Sequence, residues 1–249
     1  MPSGLGGTPS DQQPAVLAAG STDVTMTFLS LSAREPDGRD AEYLEWHSLD
    51  HRPEQYRVTG LRHSLRLVST PECRARRAAS ADRYDATDHV MIYFWQSEDS
   101  LAPFGQLSDA LTGDRRGVSL PSVAFGTYRL VGKAATPRVA VGADVIPWRP
   151  ALGAYLLLEQ GEPTAPGAVV HVDGVAGAWW HGGLLTETPF TIDSRGLAFT
   201  ILFLDDDPVA VAERLRGPLE ERWSGGDTVP LLAAPFHQLV PFAWDRYLP

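Results

Sequence analysis

Similar residues recur at nearly constant intervals along the chain, and this internal repeat is the feature that most limits what the chain can fold into. The offsets are 114, 109 and 111 positions for three matched pairs: Gly60 with Gly174, Ile92 with Ile201, and Phe125 with Phe236. Nearly constant offsets indicate duplication of one structural unit. The 249 residues are therefore expected to form two similar modules of about 100 residues each.

The hydrophobic pattern of the first half predicts the order strand, helix, strand, strand, helix, strand, which is that of a ferredoxin-like βαββαβ unit. The predicted strands are Val24–Ser32, Leu61–Val68, His89–Trp95 and Ser122–Val131. The predicted helices are Asp40–His51, with Asp40 as N-cap and an end marked by Pro53 and Gly60, and Ser97–Leu111. The Arg-rich residues 70–87 are expected to form a solvated hairpin loop.

The second half repeats this plan with one element missing. Its predicted strands are Ala154–Glu159, Val175–His181, Gly196–Leu204 and Ala233–Trp244, and its helix begins at Pro208 and is expected to kink or break at Gly217-Pro218. From Phe28 to Gly60 there are 32 residues, but from Leu156 to Gly174 only 18. The difference is enough to delete most of the first helix.

These patterns predict the α+β class, with two ferredoxin-like modules whose antiparallel sheets pack into an intramolecular α+β barrel. The second module has a degenerate first helix. The expected division is a flexible tail at 1–23, a first module with the candidate site at 24–132, a linker at 133–150 and a second module at 151–249.

Composition excludes several classes of function. The formal net charge of −10 argues against nucleic acid as a partner, because phosphate binding requires a basic face. No apolar run approaches the ~20 residues of a membrane helix. The single cysteine, Cys73, excludes an internal disulfide framework and a Cys-rich zinc site, and it favours a cytoplasmic location.

One face of the helix over 40–56 is unusual for a helix that packs on a sheet. Tyr43, His47 and His51 are spaced by four and share this face, where aliphatic side chains would be expected. Trp46 and Asp50 lie beside them. Imidazole is the side chain best suited to proton transfer near neutral pH, so this face is a candidate acid–base site. Histidines that cap or bond the backbone are the alternative interpretation.

The segment Tyr43–Glu54, followed by Val58–Arg62, resembles the dimeric α+β-barrel superfamily in its EthD-like branch. The residues that carry the resemblance are Trp46, His47, Asp50, His51, Pro53, Glu54 and Gly60. It covers residues 24–132 well and 151–249 more loosely. It implies two four-stranded sheets packed face to face, which here could come from one chain, as a monomeric barrel or a homodimer. The superfamily includes cofactor-free monooxygenases, isomerases, cyclases, dehydratases and haem enzymes.

The leading functional hypothesis is a small-molecule enzyme without a dissociable cofactor. The resemblance implies a hydrophobic or aromatic, polyketide-like substrate, transformed by cyclisation, isomerisation or elimination. His51 would be general base or acid, with His47 or Tyr43 as second proton carrier. The expected substrate-binding residues are Trp46, Asp50, Tyr93 and Trp95.

Two other hypotheses remain open at the level of sequence. One is a cofactor-free or haem-dependent oxygenase, although no haem-binding motif is present and no cofactor-binding residue is assigned. The other is a non-catalytic ligand-binding or assembly module. His47 and His51 could also form a metal-binding pair, but no third ligand is apparent and no metal is assigned.

Overall fold

The computed structural model describes residues 22–112, 117–187 and 191–249. The strands are β1 (Met26–Ser32), β2 (Leu61–Val68), β3 (Ala79–Ser80), β4 (His89–Trp95), β5 (Ser122–Ala135), β6 (Gly153–Gln160), β7 (Val175–Gly183), β8 (Leu185–Glu187), β9 (Thr191–Asp193), β10 (Leu197–Leu204) and β11 (Val229–Gln238). The α-helices are α1 (Asp40–Trp46), α2 (Arg52–Gln55), α3 (Pro71–Ala75), α4 (Leu101–Thr112) and α5 (Pro208–Trp223). A π-helical segment, His47–His51, joins α1 to α2.

Eight antiparallel strands form a closed ring within the one chain. Their order is β2-β4-β1-β5-β7-β10-β6-β11, and β11 returns to β2 through the pairs His237 with Val68 and Gln238 with Leu67. The second junction between the modules is the pairing of β5 with β7. The predicted intramolecular α+β barrel is thus confirmed, and it needs no second chain to close.

The alternation of side chains along each strand explains the layers. One large apolar cluster draws residues from all eight strands and fills the barrel, with Ile92, Phe94, Trp179 and Phe199 fully buried in it. Helix α4 covers the outer face of the first module, and α5 covers that of the second. The barrel itself is thus packed with side chains, as protein interiors normally are.

The repeat predicted from the sequence is confirmed at two of its three pairs. Gly60 and Gly174 precede equivalent strands with φ of 95° and 93°, a conformation that L side chains rarely adopt. Ile92 and Ile201 both face the barrel interior. The third pair, Phe125 with Phe236, is wrong: strand pairing aligns Tyr128 with Phe236, and Phe125 lies outside the barrel, 47% exposed.

The second module lacks the helix that its short interval could not hold. Between β6 and β7 the chain has only a 3-10 turn over Gly167–His171. Other strand boundaries differ from the prediction, since β5 continues to Ala135 and residues 143–148 form a further 3-10 helix. The last strand ends at Gln238 rather than Trp244.

Two local predictions about the helices are wrong. Helix α1 begins at Asp40, so Arg39 is its N-cap. The Asp40 carboxylate does not cap the helix but accepts a hydrogen bond from the Glu35 N–H at 2.8 Å. Helix α5 runs unbroken through Pro218, which is framed by the fully buried Leu215 and Leu219.

The segment 70–87 is not a solvated hairpin loop. It contains α3, β3 and a 3-10 helix over Asp82–Ala86, and it packs against the barrel. Tyr84 joins the interior cluster, and the Arg77 side chain is only 4% exposed. Cys73 is fully buried, and burial raises the pKa of its thiol.

The predicted flexible tail lies outside the described residues, apart from its last two positions. Of these, Asp23 is bound by the Arg62 guanidinium through contacts of 2.5 and 2.8 Å. Among the described residues, no helix combines the length and apolar character needed to cross a membrane.

Buried histidines make the barrel sensitive to acid. His181 lies fully buried against Phe199, and desolvation lowers its pKa from 6.5 to about 4. Below pH 6.5 the unfolded chain binds a proton at His181, but the folded chain binds it only near pH 4. The free energy of unfolding therefore decreases as the pH is lowered from 6.5 to about 4. We expect His181→Phe to reduce the slope of unfolding free energy against pH by up to ~1.4 kcal/mol per pH unit.

Urea unfolding at intervals between pH 7 and pH 4 measures this slope. The same substitution at His171, which is exposed, is the control and should leave the slope unchanged. An unchanged slope in His181→Phe would contradict the proposed linkage.

Candidate functional site

A cavity of about 360 Å³ opens on the outer face of the first module. Its floor is the sheet, its roof is α1 with the π-helical segment, and α4 closes one side. Residues from these elements line it: Phe28, Ser30, Met91, Tyr93 and Phe125 on the sheet; Tyr43, Trp46, His47 and His51 on the roof; Leu101, Phe104 and Ser108 on α4. We call this the main cavity. Its volume falls within the ~300–1,000 Å³ usual for small-molecule sites.

The π-helical segment places both histidines over this cavity. The Arg52 N–H donates to the carbonyl of His47, five residues earlier, which widens the helix by one residue. Such π-bulges are frequent at functional sites because they change the direction of side chains. His47 and His51 are both buried and line the main cavity, with their ring centroids 5.4 Å apart.

Aromatic rings surround the two imidazoles. Trp46 stacks on His51 with centroids 4.9 Å apart, and Tyr43 lies 5.6 Å from His47. On the floor, Tyr93 packs edge-on to Phe104 at 4.9 Å. An apolar, aromatic wall with a few polar groups suits an aromatic ligand.

A hydrogen-bonded chain fixes the orientation of His51. The Tyr93 hydroxyl donates to Gln55 Oε1 at 2.8 Å, and Gln55 Nε2 donates to His51 Nε2 at 2.9 Å. Since His51 Nε2 accepts this bond, the neutral ring carries its proton on Nδ1. Gln55 is 2% exposed and also lies 3.3 Å from Ser108 Oγ. Burial raises the pKa of Tyr93 to a value that keeps the phenol protonated.

Five of the seven predicted site residues meet at the main cavity: Tyr43, Trp46, His47, His51 and Tyr93. Asp50 does not line it. Trp95 does not line it either, because its ring is fully buried behind Phe104, 5.0 Å away. The roles of all seven stay predictions.

Gln55 and Arg66 are among the polar residues of the site that sequence reasoning missed. Gln55 lies one turn after His51, so the i, i+4 spacing that linked Tyr43, His47 and His51 could have been extended to it. Arg66 lies in β2 between inward-facing Leu65 and Leu67, and strand alternation directs it to the helix-covered face.

A second buried polar pair supports the start of α1. His89 Nε2 lies 2.7 Å from Asp40 Oδ1, and both groups are almost fully buried. Burial lowers the pKa of His89. For Asp40, burial alone would raise the pKa, but the hydrogen bonds from His89 and the Glu35 N–H outweigh it and lower the pKa. This pair anchors α1 to β4 and so holds the roof of the cavity in place.

Among the described residues, the side chains around the main cavity form no evident metal or haem site. In the described ranges no three His, Cys, Asp or Glu side chains converge as a metal site requires. An axial haem ligand needs an available imidazole nitrogen, but His51 Nε2 is engaged by Gln55. The rings of Tyr43, Trp46 and His51 surround His47, with centroids 5.4–6.2 Å away.

Several solved structures have the same fold as this chain. The chain is similar to an encapsulated DyP-type peroxidase from Mycobacterium smegmatis, with 11% identity, 97% of this chain and 99% of that chain covered, and a TM-score of 0.53. It is also similar to a dye-decolorizing peroxidase from Bacteroides thetaiotaomicron, with 12% identity, 96% and 97% covered, and a TM-score of 0.52.

A third structure, described as a candidate chlorite dismutase, has 10% identity, 87% and 95% covered, and a TM-score of 0.53. At such identities the likeness concerns the fold alone. No family model matches the chain, and no curated protein sequence matches it.

Proposed function

We propose that the protein is a small-molecule enzyme that catalyses proton transfer at a carbon next to a carbonyl group of an aromatic, polyketide-like substrate. The observation that carries this proposal is the pair of buried histidines on the roof of an aromatic cavity. Enolisation of this kind is the first step of many cyclisations, isomerisations and eliminations. The proposal also places the chain in the EthD-like branch, on the pattern from Trp46 to Gly60.

In this mechanism the two imidazoles have different roles. His47 removes the proton from the carbon atom. His51 donates a hydrogen bond from Nδ1–H to the carbonyl oxygen and stabilises the negative charge that develops there. A neutral imidazole suits this second role. Gln55 donates to the Nε2 atom of His51, so the proton of the neutral ring lies on Nδ1, from which it can be donated to the substrate. The proton on His47 then returns to carbon or exchanges with solvent.

Deuterium exchange tests the proposal without knowledge of the natural substrate. In D₂O, the purified protein should accelerate deuterium incorporation next to the carbonyl of 1-tetralone, a bicyclic aromatic ketone, as measured by NMR. A variant lacking both histidines gives the background rate. If aromatic ketones bind in the main cavity but show no exchange above background, the acid–base mechanism is wrong and the protein is a ligand-binding module.

An oxygenase is the second candidate, and the apolar lining of the cavity favours it. A phenol or enol deprotonated by His47 would be electron-rich and could react with oxygen directly. Oxygen uptake with an electron-rich phenol would support this function. A Soret band in the purified protein would instead show that haem binds.

A further inference from the structure

Arg66 is a buried cation, and no carboxylate of the described residues pairs with it. It lies between the main cavity and a smaller one of about 190 Å³, and it lines both. Only 4% of the residue is exposed. Its Nη2 donates to the Tyr43 hydroxyl at 3.2 Å, and its guanidinium carbon lies 5.3 Å from the centroid of the same ring. Its Nε has no hydrogen-bond partner in the described part of the chain.

Arg66 lacks an acidic side chain as ion-pair partner among the described residues. In the ranges 22–112, 117–187 and 191–249, no carboxylate lies within 4 Å of the Arg66 guanidinium. Asp109 also lines the main cavity, but it is exposed and makes no ion pair with Arg66. Burial of an unpaired charge is strongly unfavourable, so buried arginines normally have a counter-ion. Arg66 lines a cavity of ligand size, so a bound ligand could supply the missing negative charge.

We propose that Arg66 binds the carboxylate group of the aromatic ligand in the main cavity. A carboxylate is ionised at neutral pH, and its two oxygens match the planar fork of a guanidinium. One hydrogen of Nη1 and the second hydrogen of Nη2 can donate to it together, while Nη2 keeps its bond to Tyr43. The substrate class is therefore an aromatic keto acid rather than a neutral ketone.

The positions of the side chains define how such a ligand lies. Arg66 contacts Tyr43, the first of the three residues spaced by four along the roof. His47 and His51 follow toward the other end. With its carboxylate at Arg66, an aromatic acid would extend under His47 and His51 and present its carbonyl group to them. This orientation rests on the proposed function, but carboxylate binding itself does not.

Binding of a matched pair of ligands tests the proposal. 2-Naphthoate and 2-naphthamide have nearly the same shape, but only the first is charged at pH 8. By isothermal titration calorimetry, the wild-type protein should bind the carboxylate at least tenfold more tightly. Arg66→Gln should abolish this preference, and Arg66→Lys should retain part of it, since lysine keeps the charge without the fork.

Arg52→Gln is the control, because Arg52 lines only the smaller cavity and its loss changes the net charge equally. That variant should keep the tenfold preference. Equal binding of the two ligands by the wild-type protein would overturn the proposal, even if Arg66→Gln failed to fold. Loss of the preference in Arg52→Gln alone would place the anion in the smaller cavity and overturn it too. A variant lacking both His47 and His51 should keep the preference, which separates binding from catalysis.

Discussion

Replacing His51 with alanine is expected to lower the rate of enzyme-dependent deuterium exchange by about 100-fold or more. Loss of one hydrogen-bond donor to a developing oxyanion costs roughly 10²–10³ in turnover. Alanine also removes the ring that stacks on Trp46 at 4.9 Å, but it leaves the main cavity and its arginine in place. The loss should therefore be in kcat, while binding of 2-naphthoate changes little.

Two comparisons make this result specific. His171→Ala deletes an exposed histidine of the second module and should retain full activity. His47→Ala should cost at least as much as His51→Ala, since it removes the base itself. Retained exchange in a folded His51→Ala protein would contradict the assignment of His51. Retained exchange in both single variants would remove the imidazoles from the mechanism and leave Tyr43 as the remaining predicted proton carrier.

The candidate site was predictable where it depends on helix periodicity. Tyr43, His47 and His51 share a face at a spacing of four, and the structure places all three over one cavity. The spacing could not show the π-bulge over His47–His51, because the bulge is a change in backbone hydrogen bonding that side-chain periodicity does not report. Arg66 was harder to predict, because strand alternation gives its face but an arginine there is normally solvated, and only the covering helix makes it buried.

The fold was predictable where it depends on intervals between elements. The short interval from Leu156 to Gly174 predicted the lost helix, and the structure has only a 3-10 turn there. Register was harder, because a strand of alternating residues offers matches at several offsets. Phe125 and Phe236 look equivalent in sequence. The pairing of β5 with β1 and of β11 with β6 shows that the equivalent of Phe236 is Tyr128, three positions after Phe125.

Replacing Trp179 with alanine is expected to lower the free energy of unfolding by about 3–5 kcal/mol, the usual cost of deleting a large buried aromatic side chain. Trp179 belongs to the second module but packs edge-on against Phe94 of the first, with centroids 5.6 Å apart. Its Nε1 also donates to the Ala143 carbonyl at 2.8 Å. Urea unfolding followed by far-UV circular dichroism measures the change.

The shape of this transition tests how the two modules relate. Because one apolar cluster fills the whole barrel and both sheet junctions are closed, both modules should unfold together, in the wild type and in Trp179→Ala. Trp148→Ala is the control, since Trp148 is 40% exposed although it lies beside Trp179, and it should cost ~1 kcal/mol or less. Two separate transitions, with only the second shifted by Trp179→Ala, would mean that the modules are independent domains. A single shifted transition would mean that the duplicated unit is stable only as half of a barrel, so the cavity under His47 and His51 depends on the module that lacks its helix.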